Sequence, residues 1–85
     1  MPAIARIADQ GSHGGVIVSA SPDVFADGRG VARIGDQYAC PLHGTNPIVT
    51  GSPDVFANGR AVARVGDATA CGATIVTGSP TVLCN

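Results

Sequence analysis

An all-β fold, a small cone or pyramid made of three related β-hairpins, is what this sequence predicts. Three observations carry that prediction: the composition, an internal repeat, and a hairpin signal inside each repeat. Every basic side chain of the 85-residue chain is Arg and every acidic one is Asp. The missing Lys and Glu are strong helix formers, whereas Gly, Pro, Asp and Val, which are abundant here, suit strands and turns. With two Phe, one Tyr and no Trp, the core is expected to be thin. A single domain this short also buries a small share of its surface, so an added staple is expected.

The repeat is plain on inspection. SPDVFADGRGVARIGDQYAC at residues 21–40 recurs as SPDVFANGRAVARVGDATAC at 52–71, with most positions identical. Ala5-Arg6-Ile7-Ala8-Asp9 continues it upstream, matching Ala32 to Asp36 and Ala63 to Asp67. Ser79-Pro80-Thr81-Val82-Leu83 continues it downstream, matching Ser21 to Phe25 and Ser52 to Phe56. Three units are therefore read over about 5–25, 32–56 and 63–83, and a single domain spanning 1–85 with no extension domain is expected.

Each unit opens a β run at Ser-Pro-x-Val-Phe, then turns at Asp27-Gly28 or Asn58-Gly59. Such pairs favour the type I′ turn, which needs positive φ at both central residues. The return strands are expected at Val31–Ile34 and Val62–Val65. The third hairpin is predicted from the two chain ends, Val82 to Asn85 and Ala3 to Ile7, cut at its turn. Lone hairpins are unstable in water, and three sharing a core are about the minimum that can stand.

A formal net charge of −1 with scattered Arg offers no basic stripe for a phosphate backbone, and the few aromatics give no stacking platform. Nucleic acid is excluded as a partner on that ground. The start, Met1 to Arg6, has neither the basic region nor the apolar run of a secretory signal, and no later run has bilayer length. Synthesis in the cytoplasm is expected, without stable membrane insertion. Three cysteines, an odd number, fit metal ligation or free thiols better than a disulfide framework.

Aligning the units puts His13, Cys40 and Cys71 at one equivalent position, each four residues after Asp9, Asp36 and Asp67. Threefold placement brings all three to one axis. The middle unit carries an insertion, Cys40-Pro41-Leu42-His43, which supplies a fourth ligand. Two thiolates and two imidazoles match tetrahedral Zn²⁺, and four protein ligands leave no position for an activated water. One structural Zn²⁺ is predicted, and binding of that kind is worth about 10–16 kcal/mol at neutral pH. Cys84 aligns instead with Ala26 and Ala57 beside the hairpin turn and is expected to be a free thiol.

The remaining repeated residues have structural explanations. Arg6, Arg33 and Arg64 precede Asp9, Asp36 and Asp67 by three, a spacing for a local ion pair, worth under about 1 kcal/mol if exposed. The Asp residues are expected to cap turns by accepting backbone N–H groups. Phe25 and Phe56, with Val24 and Val55, are expected more in the core than in contacts, although in a domain this thin some of them must face a partner. No Ser-His-Asp grouping is suggested, and no catalytic residue is assigned.

At this point the chain resembles the PAAR-repeat family, tip proteins of bacterial contractile injection machines such as the type VI secretion system. The matching stretches are Ser12 to Gly15, Gly28 to Asp36, Cys40 to Gly44, Gly59 to Asp67 and Cys71 to Ala73. Gly30-Val31-Ala32-Arg33 and Ala61-Val62-Ala63-Arg64 stand where the family has its Pro-Ala-Ala-Arg tetrad. The resemblance implies a β cone with zinc near its apex, seated as one chain on a trimeric VgrG-type spike and monomeric alone. It further implies a non-enzymatic role in sharpening the spike for puncture, with effector delivery in some members. Because the sequence stops at Asn85, any effector is expected to be bound rather than fused, and the protein to leave the cell at the spike tip. Two other readings stay open on residues alone. A small zinc-dependent envelope hydrolase needs three ligands plus water, and no Glu is present to act as base. A free-standing zinc or redox module would use Cys40, Cys71 and Cys84.

Overall fold

Two hairpins form where the Asp-Gly and Asn-Gly pairs place them. In the computed structural model, which describes residues 1–85, β2 (Phe25–Ala26) pairs with β3 (Arg29–Gly30), and β6 (Phe56–Ala57) pairs with β7 (Arg60–Ala61). Both central residues of each turn have positive φ, 53° and 78° at Asp27 and Gly28, 55° and 77° at Asn58 and Gly59, as a type I′ turn requires. A third sheet is antiparallel in the order β1 (Val16–Ile17), β4 (Gln37–Cys40), β5 (Gly44–Pro47). There is no helix, so none is long and apolar enough to cross a membrane.

The chain ends complete the third hairpin. Ala3 pairs with Leu83, the Ile4 N–H donates to the Val82 carbonyl at 3.0 Å, and the Cys84 N–H donates to the Pro2 carbonyl at 3.0 Å. Val31 to Val24 and Val62 to Val55 repeat the Ile4–Val82 bond at 2.9 and 3.0 Å.

The return strands lie at Arg29–Gly30 and Arg60–Ala61, ahead of the expected Val31–Ile34 and Val62–Val65, because the residues after Gly30 and Ala61 leave their own hairpin. Val31 pairs with Arg6, Val62 with Arg33, and Ile4 with Arg64, so each unit hands its chain to the next. At the centre Ala5, Ala32 and Ala63 close a ring. Ala5 N–H donates to Ala63, Ala63 to Ala32, and Ala32 to Ala5, at 2.8–2.9 Å, and all three are fully buried. Only a small side chain fits where three backbones meet around one axis, which explains the repeated Ala.

Around this ring the Arg–Asp pairs do both jobs foreseen for them, and they do so buried. Asp9, Asp36 and Asp67 each accept the backbone N–H of Arg6, Arg33 or Arg64 at 2.7–2.8 Å through Oδ2. The same carboxylates take Nε and a terminal guanidinium nitrogen of that Arg at 2.8–3.1 Å. A hydroxyl from another segment donates to Oδ1: Thr77 to Asp9, Ser19 to Asp36, Thr50 to Asp67. The carboxylates are 3–5% exposed, so these are not the solvent-exposed ion pairs that spacing alone suggests. Burial would raise each carboxyl, but the Arg hydrogen bonds and the hydroxyl outweigh it and hold all three below the ordinary carboxylate range. No buried side-chain nitrogen or oxygen lacks a partner.

The apolar interior is two clusters. One, with Ala5, Ala32 and Ala63, gathers Ile17, Ile48, Ile75 and Tyr38 and reaches Cys40 and Cys71. The other gathers Ile4, Val31 and Val62 with Ala26, Ala57 and Cys84 under the hairpins. Phe25 and Phe56 are not core residues: they are 59% and 60% exposed. Strand alternation explains it. Ala26 and Ala57 take the inward position, where three arms converge, and the adjacent Phe faces out.

Candidate metal centre

Three equivalent turns, one in each unit, carry the four candidate ligands: one each in the first and third, two in the middle. In the first, Gly11 N–H donates to the Gly15 carbonyl and Gly14 N–H to Gly11. In the third, Thr69 donates to Ala73 and Gly72 to Thr69 in the same pattern. His13 and Cys71 occupy the same place in these turns, each followed by a glycine of positive φ, 87° at Gly14 and 89° at Gly72. The middle turn is lengthened by Pro41, Leu42 and His43 into the β4–β5 hairpin, closed by the Cys40–Gly44 pair, with φ 77° at Gly44.

The four side chains foreseen for the centre converge. One ligand atom from each of His13, Cys40, His43 and Cys71 lies within 4.8 Å of all the others. Cys40 Sγ is 3.6 Å from His13 Nδ1 and 3.5 Å from His43 Nδ1, and Cys71 Sγ is 3.8 Å from His13 Nδ1. Bonds of about 2.3 Å to sulfur and 2.0–2.1 Å to nitrogen at a tetrahedral angle put sulfur and nitrogen about 3.6 Å apart. The spacing therefore fits one small tetrahedral cation. The two imidazoles lie with centroids 5.1 Å apart and planes at 46°, an inclined pairing rather than a stack. Burial grades across the set, from buried Cys40 through half-buried His13 and Cys71 to exposed His43.

Residues outside the repeat signal support Cys71. The Thr69 hydroxyl sits 3.2 Å from its Sγ. Donation from Thr69 holds the Cys71 thiol down to about 6 against the opposing effect of burial, with smaller help from the Ala73 backbone and the Asn46 side chain. A thiol that ionises readily is a better metal ligand. Asn46 also accepts the Cys71 N–H at 3.1 Å while donating to the Gly44 carbonyl at 2.9 Å, and so ties the third turn to the second. Residue Cys84 is elsewhere, buried in the hairpin cluster, where burial pushes its thiol up.

An open cleft of about 380 Å³ lies beside Cys40, walled by Gly14, Gly15, Val16 and Pro41. None of its lining side chains is an acid or base other than the Cys40 thiol.

A threefold hairpin ring with a His/Cys cluster at one end defines a small class of β proteins. Comparison with known families shows the same: the PAAR motif matches residues 7–77, and the chain belongs to that family, whose members are associated with spike tips of contractile injection systems. Among curated proteins none matches the chain.

Proposed function

We propose that this chain is the non-enzymatic point of a contractile injection spike, seated as one copy on the end of a trimeric VgrG-type protein and stiffened by one structural Zn²⁺. The observation that carries the reading is the threefold placement of Phe25, Phe56 and Leu83, 59%, 60% and 53% exposed, on the hairpins. Their equivalence follows from the matching pairs Phe25–Gly30, Phe56–Ala61 and Leu83–Ala3. Large exposed apolar patches mark contact sites, and a monomer with three similar corners can match the axis of a trimer.

Cys40 and Cys71 of the His/Cys group pack with Ile17, Ile48, Ile75 and Tyr38, in a cluster separate from the one under the hairpins. Two thiolates with two imidazoles favour Zn²⁺, and four protein ligands close the tetrahedron, which supports a structural and not a hydrolytic ion. A rigid, closed point suits puncture of an envelope, and any effector would ride on the exposed faces. On this reading the protein joins the spike in the cytoplasm and leaves with it.

Native mass spectrometry of the chain mixed with a cognate spike trimer tests the proposal. One chain per trimer is expected, and three would overturn it. The double substitution Phe25→Asp with Phe56→Asp should weaken binding by about 100-fold or more, while metal content stays at one per chain. Unchanged binding would place the contact on another face.

A further inference from the structure

Two of the four converging side chains are thiols, and they come from different units. Cys40 and Cys71 have their sulfurs within 4.8 Å, and all three cysteines of the chain are free. A disulfide requires about 2.05 Å between sulfurs, so closure needs a movement of under about 3 Å. One partner is held in a ladder and the other only by turn contacts. Cys40 ends β4 and is fixed by its ladder pair with Gly44, whereas Cys71 sits in a turn outside any strand and is half-exposed. Gly72 follows with φ 89°, and nothing lies within 4 Å of a Cβ built on it, so no packed side chain borders that side of the turn.

We propose that Cys40 and Cys71 form a reversible disulfide in place of the metal, giving the tip two closed states, one metal-bound and one oxidised. The proposal rests on the metal-centre reading and adds a modification to it. The oxidant is a low-molecular-weight disulfide such as oxidised glutathione. The Cys71 thiolate attacks one of its sulfurs, breaking that S–S bond and expelling one thiolate. Cys40, also as thiolate, then attacks the Cys71 sulfur of the mixed disulfide and expels the second. Two electrons pass from the protein sulfurs to the small disulfide, two solvent protons convert the expelled thiolates to thiols, and the cation leaves with His13 and His43 as free imidazoles.

The two states differ in what they hold together. A cation bound by all four residues ties the three units to one another, while the disulfide ties only the second to the third and frees the His13 turn. Cys84 takes no part, because it is buried in the separate cluster with Ala26 and Ala57.

The test begins with the reduced, zinc-loaded chain, its metal content measured before oxidised glutathione is added under anaerobic conditions. Expected results are one metal released per two thiols lost, a metal-free mass lower by about 2 Da, and a cross-linked peptide pair containing Cys40 and Cys71. Dithiothreitol with added zinc should restore the starting state. Cys84→Ala should behave identically, and Cys71→Ser should give neither the cross-link nor the paired stoichiometry. A cross-link through Cys84, glutathione adducts as the final state, or thiols unchanged while a control dithiol peptide is fully oxidised would each overturn the proposal. If the reduced chain carries no metal, the metal-centre reading fails, yet the cross-link measured on that same chain still decides the disulfide.

Discussion

The phenol of Tyr38 fills the space in front of Gly11, so that a Cβ added there would lie inside van der Waals distance of the ring and its hydroxyl oxygen. Gly11, Tyr38 and Thr69 occupy equivalent positions in the three units, and one large ring takes the room that symmetry would share out. Tyr38 is fully buried, and its hydroxyl accepts the Gly15 N–H at 3.0 Å. Gly11→Ala should therefore destabilise the metal-loaded protein by about 1–3 kcal/mol through overpacking. Tyr38→Ala should cost about 3–5 kcal/mol, as for other large aromatic truncations. In the Tyr38→Ala background, Gly11→Ala should cost almost nothing, since the clash has gone. Urea unfolding of the four proteins closes this cycle, and additive costs would show that Tyr38 does not occupy that space.

Removing the metal should cost more than any single core substitution. Four candidate ligands converge from three turns, an ion bound there would tie those turns together, and the apolar clusters contain few large side chains. A strong chelator should lower the melting temperature by tens of degrees or unfold the chain, given a binding term of about 10–16 kcal/mol. His13→Ala, Cys40→Ser and Cys71→Ser should each abolish stoichiometric binding. Cys84→Ala should keep one metal per chain, because Ala already stands at the equivalent positions 26 and 57. Metal analysis by mass spectrometry reads each outcome, and loss of metal from Cys84→Ala would exclude the ligand set given above.

Acid should act on the Arg–Asp pairs after it has acted on the metal ligands. Asp9, Asp36 and Asp67 have folded pKa values below their unfolded ones. A carboxyl of this kind contributes stability that is complete above the unfolded value, near about 4, and is lost as pH falls through the folded value. Stability should thus fall in two stages, first as acid releases the ion, then below about pH 4 as the carboxylates protonate. Asp36→Asn keeps the shape but leaves Arg33 buried without its counter-charge, at a cost of about 3–5 kcal/mol. Its second stage should be shallower than in the unsubstituted protein, as measured by urea midpoints across the acid range. An identical acid profile would mean that the Asp36 pair does not contribute to acid sensitivity.

How much of this was legible depends on whether a feature repeats. The hairpins and the convergence of His13, Cys40 and Cys71 follow from one register, and His43 follows from an insertion beside it. Other features arise only from contacts between units, which local spacing does not encode. Thr69 and Asn46 reach Cys71 because two turns adjoin, and Ser19, Thr50 and Thr77 reach carboxylates from separate segments. Phe25 and Phe56 misled because hydrophobicity alone favours burial, whereas the crowding of three arms admits only Ala26, Ala57 and Cys84 inside. Ala8 also departs from its counterparts. It holds φ 73° where Gly35 and Gly66 take 91° and 97°, a strained conformation for a residue with a Cβ.

The two chain ends offer the sharpest test of the threefold ring. Asn85 and Met1 stand where Asn58 and Gly59 form their turn, and the strands behind them are already paired through Ala3 with Leu83 and Cys84 with Pro2. Joining the ends by a peptide bond, with Met1→Gly, should create a third Asn-Gly type I′ turn without moving either strand. Closing a chain of this length removes unfolded-state entropy worth about 3–5 kcal/mol in the cross-linking model, so the urea midpoint should rise. A joined chain that retains Met1 should gain less, by about 1–2 kcal/mol, because the residue after Asn must take positive φ, as Gly59 does at 77°. Both joined forms should still bind one metal per chain. A joined Met1→Gly protein no more stable than the linear one would mean that the termini do not lie in hairpin register.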